Sequence, residues 1–168
     1  GSGILAASWR RIWFMPYRTF TPVVAIDASA EAGQSQPLYY SPAASGYYKG
    51  TTGYDLYAFG SGTFYEKSTA VTGPSVGTTG HFEPSLYVVA KEQTAAAATS
   101  DQILRLPIKN LLKPGSETET LGRRTQLTAT AMLFVPVNSD VKPLALFSVY
   151  DPDTADCAGT SYIVRITF

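Results

Sequence analysis

Residues 73–77 read Gly-Pro-Ser-Val-Gly, the G-x-S-x-G spacing that places a hydrolase serine on a sharp strand-to-helix turn. That chemistry needs a helix after the serine and a histidine base, with an acid between them in the chain. Here Thr78, Thr79 and Gly80 follow, and His81, the single histidine, comes without an intervening acid. The match reads as coincidence in a glycine-rich loop. His81 with Glu83 offers at most two ligands on one strand face, whereas a zinc site takes three or four. His81 is therefore expected as a hydrogen-bonded loop residue.

The single cysteine, Cys157, lies in the acidic stretch Asp-Pro-Asp-Thr-Ala-Asp-Cys. Nearby carboxylates raise a thiol's pKa and blunt its reactivity, so Cys157 reads as a bystander, and no internal disulfide can form. In the same stretch Asp151, Asp153 and Asp156 place three carboxylates on a short loop. Calcium favours several flexible oxygens, but the spacing is not that of an EF-hand and no glutamate closes the loop. Asp-Pro and Asp-Thr pairs also form turns through their own hydrogen bonds. No metal or cofactor is assigned on this basis. A glycosidase needs two carboxylates facing across a cleft, and no local spacing among the 13 acids supplies that pair. Dinucleotide, P-loop and kinase signatures are missing from the sequence. The chain is read as a non-enzyme.

The residues left to carry function are tyrosines. Pro37 to Lys67 holds seven of the 11 tyrosines and five of the 14 glycines. Tyrosine offers a rigid amphipathic contact at low entropic cost, and Ser and Gly around it supply adaptable backbone, as in antibody paratopes. Aromatic rings also stack on sugar faces. Against this stands core packing with the hydroxyls at the rim. Tyr39–Tyr40 and Tyr47–Tyr48 are adjacent doublets in loop-like sequence, and in an extended doublet one ring at most turns inward. Tyr40, Tyr47 and Tyr48 are the expected ligand contacts.

A second aromatic group lies near the start, in Ser-Trp-Arg-Arg-Ile-Trp-Phe-Met. Core burial is its simplest use. Trp9 and Trp13 fall on one strand face, and left exposed they would mark a subunit interface. Self-association as a homodimer or homotrimer is expected.

Positioning these residues falls to strands. Charged residues are only 15% of the chain, against the usual quarter, so Ser, Thr, Gly and Tyr must cover the surface. Net charge is zero, which gives no electrostatic case for nucleic acid or an acidic membrane. The apolar run after the first three residues carries two arginines and falls short of the roughly 20 apolar residues a spanning helix needs. Gly1–Gly3 reads as an expression-tag remnant and residues 4–168 as one domain. Neither Asn110 nor Asn138 opens an N-glycosylation triplet.

The 11 prolines leave little room for helices. In residues 160–168, Tyr162, Val164, Ile166 and Phe168 alternate with Ser161, Ile163, Arg165 and Thr167, the period of a half-buried strand. Residues 125–137 repeat the pattern, with Leu127, Ala129, Ala131, Leu133 and Val135 on one face. Further strands are expected over 9–15, 19–27, 54–59, 63–67, 85–91, 103–111 and 144–150. Phe59-Gly-Ser-Gly62 reads as a hairpin turn, and residues 113–124 as an exposed hairpin loop. Lys91–Gln102, with four consecutive alanines, is the one helix candidate.

These elements predict an all-β antiparallel sandwich, jelly-roll-like or immunoglobulin-like, with at most one short helix. Its expected role is a surface-exposed binding or assembly module on a virion or cell: a capsid protrusion, spike, fibre head, adhesin or pilus subunit. A host receptor or glycan would be its partner. The alternative is a carbohydrate-binding module or a β-sandwich hydrolase.

Overall fold

The computed structural model describes residues 3–7, 11–15, 23–27, 38–62, 84–93, 102–121, 125–136, 141–152 and 159–168, the first three segments as backbone alone. Among the described residues every pairing between strands is antiparallel, in three sheets whose neighbours follow one another along the chain except where β8 pairs with β10. The first sheet orders β1 (Gly3–Ala7), β2 (Arg11–Met15) and β3 (Val23–Asp27). Gly3 pairs with Met15, so the glycine read as a tag remnant is a strand residue here. Trp13 stands in the central strand β2, where the β2–β3 register shifts between Ile12 and Trp13. Trp9 lies outside the described residues.

The second sheet is a four-stranded meander: β4 (Ala43–Lys49), β5 (Thr52–Gly60), β6 (Ser85–Glu92) and β7 (Gln102–Pro107). The third centres on β10 (Leu144–Pro152). It pairs with β11 (Gly159–Thr167) on one side and with β8 (Gln126–Leu127) and β9 (Met132–Phe134) on the other. Among the described residues β9, β10 and β11 follow meander order, while β8 pairs with β10 past β9.

One hydrophobic cluster joins the second and third sheets. Ala58, Leu86 and Val88 meet Leu127, Ala145, Phe147, Val149 and Ile166, with Tyr162, Val164 and Phe168 packed against them. The inward set expected for the C-terminal strand is thus the one observed. Gly60 sets the local spacing between these sheets. A Cβ there would come within 2.6 Å of the Leu127 side chain.

The second sheet is also buried on its other face. Phe59 and Tyr87 stack with ring centroids 4.9 Å apart, and with Tyr57 and Val89 they are as inaccessible as the shared core. Where this face reaches the end of β5, polar groups are closed by direct hydrogen bonds. Ser61 N donates to the Ser85 carbonyl at 2.9 Å, Ser85 N donates to Ser61 Oγ at 2.9 Å, and Arg105 Nε donates to Ser85 Oγ at 3.2 Å.

Several expectations change, among them the strand over 103–111, which ends at Pro107 and gives way to a 3-10 turn. The long strand over 125–137 is broken in two. Val149 pairs with Leu127 and Leu146 with Met132, so five steps on one strand match three on β10. The excess leaves the ladder at Thr128–Ala131, where Thr128 Oγ1 donates to the Ser148 carbonyl at 3.1 Å and bonds Ser148 Oγ at 2.8 Å. Ala129, placed inward by the alternation, is exposed. The Phe59–Gly62 turn is not one at its start: β5 runs through Gly60, and its hairpin partner is β4. The second arm, 63–67, lies outside the described residues. Of the helix candidate, Lys91 and Glu92 belong to β6 and Gln102 to β7, while 94–101 lie outside. The one helical turn among the described residues is a 3-10 turn, Ile108–Asn110, with Ile108 buried.

Residues 113–124 form the expected polar connection as far as Leu121. Leu112 bridges to Thr120, Gly115 takes a positive φ of 81°, and Lys113 Nζ bonds Glu119 Oε1 at 2.5 Å. Leu121, just beyond, enters the shared core.

Candidate functional site

The serine elbow at 73–77, His81, Asp153, Asp156 and Cys157 all lie outside the described residues. Among those that are described, no group of three His, Cys, Asp or Glu side chains gathers to hold a metal. An exposed group of polar side chains gathers beside the β4–β5 hairpin.

This hairpin closes through the two-residue turn Gly50–Thr51, with Lys49 opposite Thr52. Such a turn needs a positive φ at its first position, and Gly50 supplies it at 62°. Tyr47 and Tyr48 are therefore strand residues, not the loop residues their Gly- and Ala-rich surroundings imply. Pairing with β5 overrides weak local propensity.

The period of two then splits each doublet. Tyr48 is 64% exposed and Tyr47 is half-buried, opposite Tyr54. Tyr39 is 51% exposed, while Tyr40 is half-buried and packs against the shared core. One ring of each pair turns inward, as the sequence implies. In the first doublet it is Tyr40 that does so, and its neighbour Tyr39 presents the surface.

Around Tyr48 the register builds a shallow notch. Tyr48 faces Gly53 and Gly46 faces Asp55, so all four lie on one side of the ladder. The Tyr48 ring covers Gly53, where an added Cβ would lie 3.1 Å from Tyr48 Cε1 and collide with the Gln93 amide. Over Gly46 a Cβ would meet nothing within 4 Å, which leaves open space between the ring and the Asp55 carboxylate. Gln93, just past the end of β6, completes the wall. Its backbone N donates to the Gly53 carbonyl at 2.9 Å and its Nε2 donates to Asp55 Oδ1 at 2.8 Å. Lys91 stands opposite Asp55 on β6, and both take part in further interactions.

The notch therefore offers a ring face, a planar amide and a carboxylate beside a glycine floor. A ring face takes apolar C–H surface. The amide and carboxylate take vicinal hydroxyls or backbone amides. Asp55 and Gln93 carry no signal in the sequence, because 38 residues separate them and only the β5–β6 pairing brings them together. Glu92, paired with Tyr54, belongs to the opposite face, so it is not a second carboxylate across this notch.

No protein-family model, no curated protein and no solved structure matches this chain. No helix among the described residues is long and apolar enough to cross a membrane.

Proposed function

We propose that this chain is a non-enzymatic binding and assembly module of the β-sandwich kind, displayed on a virion or cell surface. It engages a saccharide face or receptor at the β4–β5 hairpin. The cluster shared by the second and third sheets supports the two-layer architecture. The observation that carries the functional reading is the exposed Tyr48 ring beside the Asp55–Gln93 pair over Gly46. A ring stacked on C–H groups, with a polar pair at its edge for hydroxyls, is the arrangement by which an aromatic side chain holds a sugar. Tyr48 carries the contact here, Tyr39 is the exposed member of the other doublet, and Tyr40 and Tyr47 support them from the partly buried side.

A glycan-array screen on wild-type protein and on Tyr48→Ala tests this. The variant truncates an exposed side chain, so circular dichroism stays unchanged. A specific glycan signal falls at least tenfold, which corresponds to about 1.4 kcal/mol. A signal indifferent to Tyr48→Ala and Asp55→Asn would remove this notch as the site. If no glycan binds while the protein forms oligomers, the role reduces to assembly.

A further inference from the structure

We propose that two copies of this chain pair edge to edge through β11, antiparallel about a twofold axis at Ile163. The proposal deepens the assembly part of the reading above and does not depend on the Tyr48 notch.

Among the described residues β11 is an edge strand. Its one neighbour among the described residues is β10, held through nine consecutive pairs without a register shift. Open edges carry unpaired backbone donors and acceptors, and proteins guard them with short strands, prolines, charges or bulges. The second sheet's edges are guarded in this way. β7 has six residues and ends on Pro107 after Arg105, and β4 ends on Lys49. β11 has nine residues, Gly-Thr-Ser-Tyr-Ile-Val-Arg-Ile-Thr; like β4 it has one glycine, one charge and no proline, but it is the longest of these edges. At its centre Ile163 is 64% exposed.

The partner follows from the strand's own pattern, which is complementary to itself. In full antiparallel overlap of Gly159–Thr167 with a second copy, Ile163 meets Ile163. Tyr162 then meets Val164 of the second copy on the core-facing side, an aromatic and β-branched pair of the stabilising type. Both side chains already pack against the shared core and remain partly exposed at its margin. On the outer side Arg165 falls opposite Ser161, a neutral hydrogen-bonding residue. Two alternatives are worse. A one-residue slip turns core-facing residues outward, and an axis at Arg165 sets two guanidinium groups against each other. Isologous pairing of one patch with itself is the geometry of a closed C2 dimer.

Directly opposed antiparallel residues have Cα atoms about 4.5–5.5 Å apart, within the roughly 4.4–6.8 Å span of a disulfide. Ile163→Cys on a Cys157→Ser background is therefore expected to form a covalent dimer on mild oxidation. Thr167→Cys on the same background is the control, because its counterpart lies eight residue steps away, about 26 Å, and stays uncrosslinked. Ile163→Lys places like charges on the axis, and its dimer dissociation constant rises at least tenfold in sedimentation, with circular dichroism unchanged.

If wild-type protein at tens of micromolar sediments only as an 18.0 kDa species, this pairing and the assembly reading both fall, while glycan binding through Tyr48 stands or falls by itself. If oligomers form but crosslink at 167, or survive Ile163→Lys unchanged, this edge is overturned and the assembly reading survives.

Discussion

The two central strand pairs of this molecule handle burial in opposite ways. In β5–β6 both faces are closed. Ala58, Leu86 and Val88 enter the shared core, and Tyr57, Phe59, Tyr87 and Val89 are equally inaccessible on the other side. In β10–β11 one face is closed and the other meets solvent. Ala145, Phe147 and Val149 are buried between half-exposed Leu144, Leu146 and Ser148, and Ile163, Met132 and Phe134 stand exposed around them. The residue pattern of β10 points the other way. Leu-Ala-Leu-Phe in β10 reads as a strand apolar on both sides, yet its Leu144 and Leu146 are only half-buried. The third sheet thus carries apolar side chains on its outer face beyond what its own core uses. Such surface marks interaction more often than stability, and it adjoins the edge assigned above to a second copy.

The sharpest test of this contrast compares three truncations by chemical denaturation. Phe147→Ala in the shared core and Phe59→Ala on the second face of β5 should each cost about 3–5 kcal/mol. Leu146→Ser, on the outer face of β10, should cost less than about 1 kcal/mol. If Phe59→Ala costs no more than Leu146→Ser, the second face of β5–β6 is not a core and the contrast collapses. A smaller effect tests how closely the two regions approach. Gly60→Val inserts methyl groups where the Leu127 side chain already lies within 2.6 Å of an ideal Cβ, and overpacking of this kind costs about 1–3 kcal/mol. Pairing it with Leu127→Ala, which vacates that space, should recover part of the loss. Simple additivity of the two would place the spacing constraint elsewhere.

These particulars show where the sequence is transparent. The faces of strand β11 were legible, its ends to within one residue, because one face serves the core and the other is mostly exposed, so periodicity and burial coincide. The run over 125–137 was not. Its alternation continues unbroken through Thr128–Ala131, and what interrupts it is a pair of hydroxyl bonds to Ser148, a partner 20 residues away. The tyrosine doublets were half legible. An extended backbone dictates that one ring of each turns inward, but which one depends on where the chain joins the sheet, through the Leu38–Gly62 bridge for the first doublet and the Lys49–Thr52 pair for the second. Asp55 and Gln93 could not be read at all, since their bond exists only once β5 and β6 are in register. β4 itself was hidden by its alanines and glycine, whose weak strand preference is overridden by nine-residue β5 beside it.

The smallest expected effect concerns the segment that links the two regions. After the 3-10 turn the chain leaves the second sheet, folds back through Leu112–Thr120 and delivers Leu121 to the shared core before entering β8. Lys113 and Glu119 close this turn at the surface. The hydrogen bond to the Glu119 carboxylate raises the Lys113 pKa above its ordinary value of 10.5. A pKa raised by folding means that the charged form is favoured in the folded state. Its contribution is thus fully present below the ordinary lysine value and is lost as the pH climbs through the raised one. Lys113→Met should therefore lower the melting temperature slightly at neutral pH, and the difference from wild type should shrink in strong alkali. It should also shrink in high salt, because exposed ion pairs are screened. A difference that persists under both conditions would mean that Lys113 supports the turn through its aliphatic stem. The link between the sheets would then be held by packing, and not by the polar closure seen at its surface.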